Sequence, residues 1–240
     1  MSDTLYIVMP AYNEEANIED VVKDWYPVVE KLGGESRLVI FNDGSKDHTY
    51  EKLTELAETR PQLIPVNKEN EGHGPTLQYA YHYAIDAGAD YIFQTDSDGQ
   101  TIPGEFWQLW DKREQAGLIC GQRKGRQDGF SRIVVTKVLK LVVRLLFHVN
   151  VLDANVPFRL MKAAELKEIL PLIPDHYNLT NVIVSVIYCR MKKNVDFTPI
   201  TFRPRQGGVN SINLKKIFKI GWKALSDFSA IQKNLKAKGI

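Results

Sequence analysis

The sequence predicts an α/β fold, a doubly wound and mainly parallel sheet with helices on both faces. Three observations predict it. Short apolar runs stop at polar, glycine-containing loops that open into amphipathic stretches, and this unit repeats four times by Ala116. The residues able to do chemistry cluster just after those runs, where open parallel sheets carry their sites. The 240-residue chain is 44% hydrophobic and 25% charged, enough for one sizeable core and outside the disordered and fibrous classes.

Leu5-Tyr6-Ile7-Val8-Met9 reads as a buried strand, and Pro10 to Glu15 as its turn, with Asn13 placed to cap a helix beginning near Glu14. Arg37 to Phe41 is the second strand, ending at Asn42-Asp43-Gly44-Ser45, with Ser45 or Asp47 as cap of the next helix. Leu63 to Val66 is a short third strand. Asn70-Glu71-Gly72-His73-Gly74-Pro75 then leads into a helix through about Ala87, with Pro75 suited to its first turn.

The fourth strand, Tyr91-Ile92-Phe93, ends at Gln94-Thr95-Asp96-Ser97-Asp98-Gly99-Gln100. Two carboxylates one residue apart repel unless a cation lies near them, and a hard divalent ion that also holds a diphosphate suits oxygen ligands. Asp-Ser-Asp-Gly is also good turn chemistry, so a solvated turn is the competing reading. The loops lack a Gly-x-Gly-x-x-Gly after the first strand and a P-loop pattern, which disfavours NAD and ordinary ATPase chemistry.

A helix from Phe106 to Ala116 and a strand over Leu118 to Gly121 follow, then the basic loop Gln122 to Arg126. From Ile133 to Val149, Lys137, Lys140, Arg144 and His148 form a narrow polar stripe on an otherwise apolar helix. It is too interrupted by charge to span a bilayer, and fits a core helix with one wet face or an in-plane helix at a membrane. Helical stretches near Ala163–Leu170 and Leu179–Cys189, and a strand near Val195–Ile200, precede a basic, glycine-rich loop over residues 202–211. A final basic amphipathic helix from Asn213 carries Trp222.

Net charge is only +2, but residues 201–240 hold nine Lys and Arg against one acid, net +8, leaving −6 for residues 1–200. A basic end of this kind is expected to meet something anionic, and without interleaved surface aromatics it does not point to nucleic acid. Cys120 and Cys189 have no metal-ligand spacing and read as core residues in a reducing compartment. The first residues lack the layout of a signal peptide, so a cytoplasmic protein is expected.

Five motifs occur together in order: Pro-Ala-Tyr-Asn-Glu-Glu at 10–15, Asn-Asp-Gly-Ser at 42–45, Asn-Glu-Gly-His-Gly at 70–74, Asp-Ser-Asp-Gly-Gln at 96–100, and Arg205, Gly208 and Ser211. Nearly the whole chain resembles glycosyltransferase family 2, particularly its polyprenyl-phosphate branch of the dolichol-phosphate mannose synthase type. The resemblance implies a GT-A fold, that is, a Rossmann-like sheet flanked by helices, here with C-terminal amphipathic helices. It also implies a nucleotide-sugar donor, Mg2+ or Mn2+, and inverting transfer. Pro10, Tyr12 and Glu14 would line the donor pocket, Asp43 would contact the nucleobase, and Asp96 would face ribose and diphosphate. Asp98 and Gln100, with Asp96, would hold the metal, while Arg123 and Arg205, with Ser211 nearby, would receive phosphate charge. The sequence departs from the branch at Asn42, usually acidic, at His73, near a usual Lys or Arg, and at Pro157, usually glycine.

The expected activity is transfer from a UDP- or GDP-sugar to a polyprenyl phosphate, peripherally, at the inner face of the membrane, alone or with a membrane-protein partner. One domain over 1–240 is expected, with residues 1–125 as the nucleotide-sugar half and 126–240 as the acceptor and membrane half. Asp98 and Arg205 would act at the leaving group. If the acceptor is instead a hydroxyl of a glycan precursor, Asp153 is the candidate base, and a loop cap is its competing role. A non-catalytic nucleotide-sugar binding protein is the alternative from another class.

Overall fold

A computed structural model describes residues 3–123, 130–203 and 227–240, with the backbone only for 130–137. Strands β1 (Leu5–Ala11), β2 (Arg37–Asp43), β3 (Leu63–Lys68), β4 (Tyr91–Thr95), β5 (Leu118–Arg123), β6 (Phe158–Lys162) and β7 (Val195–Ile200) form one sheet. Its order is β3-β2-β1-β4-β6-β5-β7. Strands β1 to β4 run parallel, β6 runs antiparallel to both β4 and β5, and β7 is parallel to β5.

The sequence reading of a mainly parallel sheet holds, but it does not contain β6. That strand is five residues long, carries Arg159 at its second position, and passes directly into helix α6 (Ala163–Ile169). Pro157 stands just before it, where a missing N–H removes no ladder bond.

Strands β1, β2 and β4 are almost wholly buried, which is why they read as continuous apolar runs. Helix α1 (Ile18–Leu32) buries Ile18, Val21, Val22, Trp25, Val28 and Val29 at helical spacing. Trp25 lies 5.3 Å from Phe93 and 6.2 Å from Phe158, centroid to centroid, so α1 covers β4 and β6. Helix α3 (His73–Asp86) sets Tyr79 and Tyr83 edge-on to Phe41 at 5.9 and 5.5 Å. Phe93 is in register with Ile7 and Phe41 with Pro10, so α1 and α3 cover opposite faces.

Three helices differ from expectation. Helix α1 starts at Ile18, because residues 14–17 form a turn in which Asn17 and Ile18 donate their backbone N–H to Glu14 O. Asn13 is not its cap: with φ +54° it instead accepts Lys46 N–H through Oδ1, joining the loops after β1 and β2. Helix α4 (Phe106–Trp110) is shorter than expected, preceded by a 3-10 turn at Pro103–Glu105. Helix α5 spans Phe130–Phe147, and α2 (Thr49–Ala57) has its first N–H capped by Asp47 Oδ1 at 3.1 Å. Helix α7 (Thr180–Arg190) is buried along most of its length. Both cysteines are free, Cys120 buried and Cys189 half-buried.

Gly74 lies against the loop before α7, and Thr180 Oγ1 donates to its carbonyl at 2.9 Å. A Cβ there would stand 2.3 Å from Tyr177 O and 2.5 Å from Asn178 O. Gly→Ala in a helix ordinarily stabilises by about 0.5–1 kcal/mol. Here the sign should reverse: Gly74→Ala is expected to lose roughly 2 kcal/mol in urea unfolding, since the blocking atoms are backbone.

Candidate active site

The strand directions decide which loops meet. The carboxyl ends of β1 to β5 share one edge of the sheet, and because β6 is reversed the loop leading into it lies there too. Ser97 Oγ donates to Pro10 O at 2.8 Å, fastening the end of β4 to the end of β1. Pro10 is buried in β1, and Tyr12 just beyond is 41% exposed and reachable by a ligand. Glu14 is buried; its Oε2 accepts from Asn17 Nδ2 at 2.7 Å and its N–H donates to Thr49 Oγ1 at 2.9 Å, so it shapes the turn below the site.

Asp43 ends β2 with its carboxylate engaged. Oδ1 accepts from Lys68 Nζ at 2.8 Å and Glu71 N at 3.0 Å, and Oδ2 from Gly72 N at 2.9 Å. Lys68 also reaches Glu71 at 2.9 Å. Asp43 thereby shapes the 70–74 loop over the site. Asn42, where the family is usually acidic, donates Nδ2 to Asn67 Oδ1 at 2.7 Å, a bond a carboxylate could not make. An open polar cleft of about 540 Å3 flanks this region, lined by Asn42, Ser45, Asp47, Lys68 and Glu69 among others.

Asp96 follows β4, and its Oδ1 faces His73 Nε2 at 3.1 Å and Gln94 Nε2 at 3.4 Å. Desolvation lowers the His73 pKa and the neighbouring Asp96 carboxylate raises it, with a net shift upward. Asp98 Oδ1 accepts Gln100 N–H at 3.2 Å. Gln100 is held by Arg203 in both directions: its Nε2 donates to Arg203 O at 2.9 Å and its O accepts Arg203 N–H at 2.8 Å. The chain after β7 is thus laid along the site as far as Arg203. Arg205, Ser211 and the start of the basic helix at Asn213 lie outside the described residues.

Asp96, Asp98 and the Gln100 amide carry oxygen donors of the kind that hard Mg2+ or Mn2+ prefers. Among the described residues no group of three or more His, Cys, Asp or Glu could hold a metal.

Arg123, the last residue of β5, meets Asp153 in a fork, Nε to Oδ2 at 2.8 Å and Nη2 to Oδ1 at 2.7 Å. Phe202 lies 5.2 Å from the guanidinium carbon. Beneath the site is a buried polar layer that the sequence reading does not contain. Arg159, 0% exposed, donates to Ala154 O, Val156 O, Asn181 O and Ser185 Oγ at 2.9 to 3.4 Å. Gln94 and Arg159 are in register on β4 and β6, and Tyr81 OH lies 3.5 Å from Gln94 Oε1 and 3.4 Å from Asn181 Oδ1. A polar residue inside a strand, as at Gln94 and Arg159, is the sequence signal that could have found this layer.

A mainly parallel sheet with carboxylates and an arginine at the carboxyl ends of its strands is the architecture of a GT-A glycosyltransferase fold as comparisons with known proteins identify it. The sequence matches the profile of Glycosyl transferase family 2 over residues 6–169, so the chain belongs to that family. Its relatives include the undecaprenyl-phosphate 4-deoxy-4-formamido-L-arabinose transferase of Edwardsiella ictaluri, 21% identical over 220 residues, covering 89% of this chain and 64% of the relative. The protein of that name from Pectobacterium atrosepticum is 28% identical over 144 residues, covering 58% of this chain and 42% of the relative. The chain therefore spans less than two thirds of the length of these curated relatives. Glucosyl-3-phosphoglycerate synthase from Mycobacterium tuberculosis, solved with Mn2+ and UDP-glucose, superposes with a TM-score of 0.70 at 19% identity, covering 96% of this chain and 79% of that one. Among the described residues no helix is long and apolar enough to cross a membrane.

Asp43's pKa reflects desolvation, which raises it, outweighed by the hydrogen bonds from Lys68, Glu71 N and Thr76, which lower it below 3.8. A depressed carboxylate contributes stability present above its unfolded pKa and lost as pH falls through its folded value. Asp43→Asn is therefore expected to cost about 3 kcal/mol in urea unfolding at pH 7. The gap from wild type should narrow as the pH falls below 3.8.

Proposed function

We propose that this chain is a metal-dependent, inverting glycosyltransferase that moves a sugar from a UDP- or GDP-sugar to a polyprenyl phosphate at the cytoplasmic face of a membrane. The observation that carries the lipid acceptor is the outer face of α5, the helix that follows Arg123. Val138, Leu141 and Leu145 are 54%, 56% and 64% exposed there, and the exposed Lys140 and Arg144 stand beside them. Large apolar side chains grouped with cations fit an anionic bilayer surface. The opposite face of α5 buries Val143 and Phe147 in the core, which leaves the exposed apolar face for the bilayer in this reading. The relatives' names point the same way, since those proteins are named for undecaprenyl phosphate.

In this reading residues 1–125 hold the donor. Tyr12 and the polar loops after β1 to β3 receive the nucleoside, with Asp43 keeping the 70–74 loop in place. Asp96, Asp98 and Gln100 would hold Mg2+ or Mn2+, which when bound neutralises charge on the departing diphosphate. Transfer is a single displacement: the anomeric carbon's bond to the diphosphate oxygen breaks as its bond to the acceptor oxygen forms on the opposite face. A phosphate oxygen is already anionic and needs no base. Residues 126–240 would carry the acceptor, with Arg123, Arg205 and Ser211 receiving its phosphate.

The test is transfer by purified protein with Mn2+ or Mg2+, a panel of UDP- and GDP-sugars, and polyprenyl phosphate in detergent. Glycolipid should form, and Asp98→Ala should reduce its rate on the order of 10²-fold or more with unchanged thermal unfolding; full activity in that variant rejects the metal role. Nucleotide binding without turnover would instead favour the non-catalytic binding protein. A Leu141→Glu, Leu145→Glu double variant should sediment with anionic vesicles at least about tenfold more weakly than wild type, because each change takes a leucine out of the apolar contact. Unaltered sedimentation would remove α5 from the membrane surface.

A further inference from the structure

We infer that Asp153 is a positioning residue: it turns one edge of the Arg123 guanidinium toward the acceptor's phosphate and takes no proton from the acceptor. The inference rests on the phosphate-acceptor reading above and reassigns the residue that a hydroxyl acceptor would need as its base.

The geometry of the pair sets its role. A guanidinium presents two forked edges in one plane. The Nε and Nη2 edge of Arg123 is taken by Asp153, at 2.8 and 2.7 Å. The remaining fork, Nη1 with the second N–H of Nη2, is turned about 120° from the carboxylate in the same plane, and phosphate oxygens are the contact it suits. Both side chains are largely out of solvent, 12% and 8% exposed, and Phe202 stacks on the cation at 5.2 Å. These contacts leave Arg123 little rotamer freedom. An arginine fixed beforehand loses less entropy when it binds an anion than a free one does.

Asp153 itself is held independently of Arg123. It belongs to the loop between α5 and β6, whose carbonyls at Ala154 and Val156 accept from Arg159 at 3.1 and 2.9 Å. Arg159 is in turn tied to α7 through Asn181 O at 2.9 Å. Asp153 is thus a fixed post, and the guanidinium rests on it. As a base it would have to give up the bonds that both its oxygens make to the Arg123 guanidinium.

Asp153→Asn in the full chain tests this, because it keeps the side chain's shape while placing an amide N–H2 against the guanidinium. The KM for polyprenyl phosphate should rise roughly tenfold, with kcat and the donor's KM within about threefold of wild type. The pH profile of kcat should not change. Combined with Arg123→Lys, which cannot form the fork, Asp153→Asn should add no further rise in KM, the non-additivity of two residues acting as one unit. A fall of about 10³-fold in kcat at unchanged acceptor KM, with loss of one limb of the pH profile, would make Asp153 the base and overturn the inference. Equal weakening of donor and acceptor, with a lowered unfolding midpoint, would make its role structural and overturn it as well.

A second measurement needs no turnover: calorimetric titration of geranyl phosphate into each protein without donor. Wild type should bind, Arg123→Ala should not, and Asp153→Asn should bind roughly tenfold more weakly. If Asp153→Asn binds as wild type does while Arg123→Ala fails, the positioning role alone is overturned. If wild type neither binds geranyl phosphate nor transfers sugar to polyprenyl phosphate, the phosphate-acceptor reading fails, and this inference with it.

Discussion

The site depends on one reversal of chain direction. Strand β6 runs against β4 on one side and β5 on the other. The carboxyl ends of β4 and β5, with Asp96 and Arg123, therefore lie at the same edge as the amino end of β6 and the loop that brings Asp153. An all-parallel insertion would carry that loop to the far edge of the sheet, about 17 Å away for a strand of this length. Asp153 would then lie a strand's length from Arg123, and the pair could not form.

Burying an arginine inside that strand is costly unless every donor finds an acceptor. Arg159 meets this condition with carbonyls and a hydroxyl, among them three carbonyls from different positions of its own loop and α7. The loop before β6 consequently has little freedom, and the site floor is set by hydrogen bonds of fixed direction as well as by apolar packing. The same layer contains Cys120, in register with Arg159, whose thiol burial pushes up to about 11. That cysteine is therefore a packing residue with no thiolate to offer.

The two sides of the cleft use charge differently. On one side Asp43 and Lys68 form a buried pair that organises a loop, while Asp96 and Asp98 follow the end of β4, Asp96 facing His73 and Asp98 accepting Gln100 N–H. On the other side the Arg123–Asp153 pair is neutral as a unit, so it contributes direction more than field. His73 is a titratable group beside Asp96, whose carboxylate outweighs desolvation and raises its pKa.

Much of the sheet and of the loops at its carboxyl edge was legible in the sequence. Strands β1 to β5 and β7 announce themselves because buried parallel strands read as apolar runs, and their loops because turn chemistry and paired carboxylates follow those runs directly. Local patterns placed Asp96, Asp98 and Gln100 in the loop after β4, whereas Arg123, read as part of a basic loop, is the last residue of β5. Strand β6 was not legible: five residues with an arginine inside have neither the length nor the period of a strand, and only pairing on both sides makes them one. The partners of Asp43, Asp153 and Arg159 were hidden for the same reason. Lys68 is 25 residues from Asp43, and Arg123 is 30 from Asp153. Sequence by itself determined which residues carry charge and that polar loops follow the apolar strand runs; the tertiary structure alone decided which charges meet, because contacts across a sheet depend on strand order and direction, which local patterns do not encode.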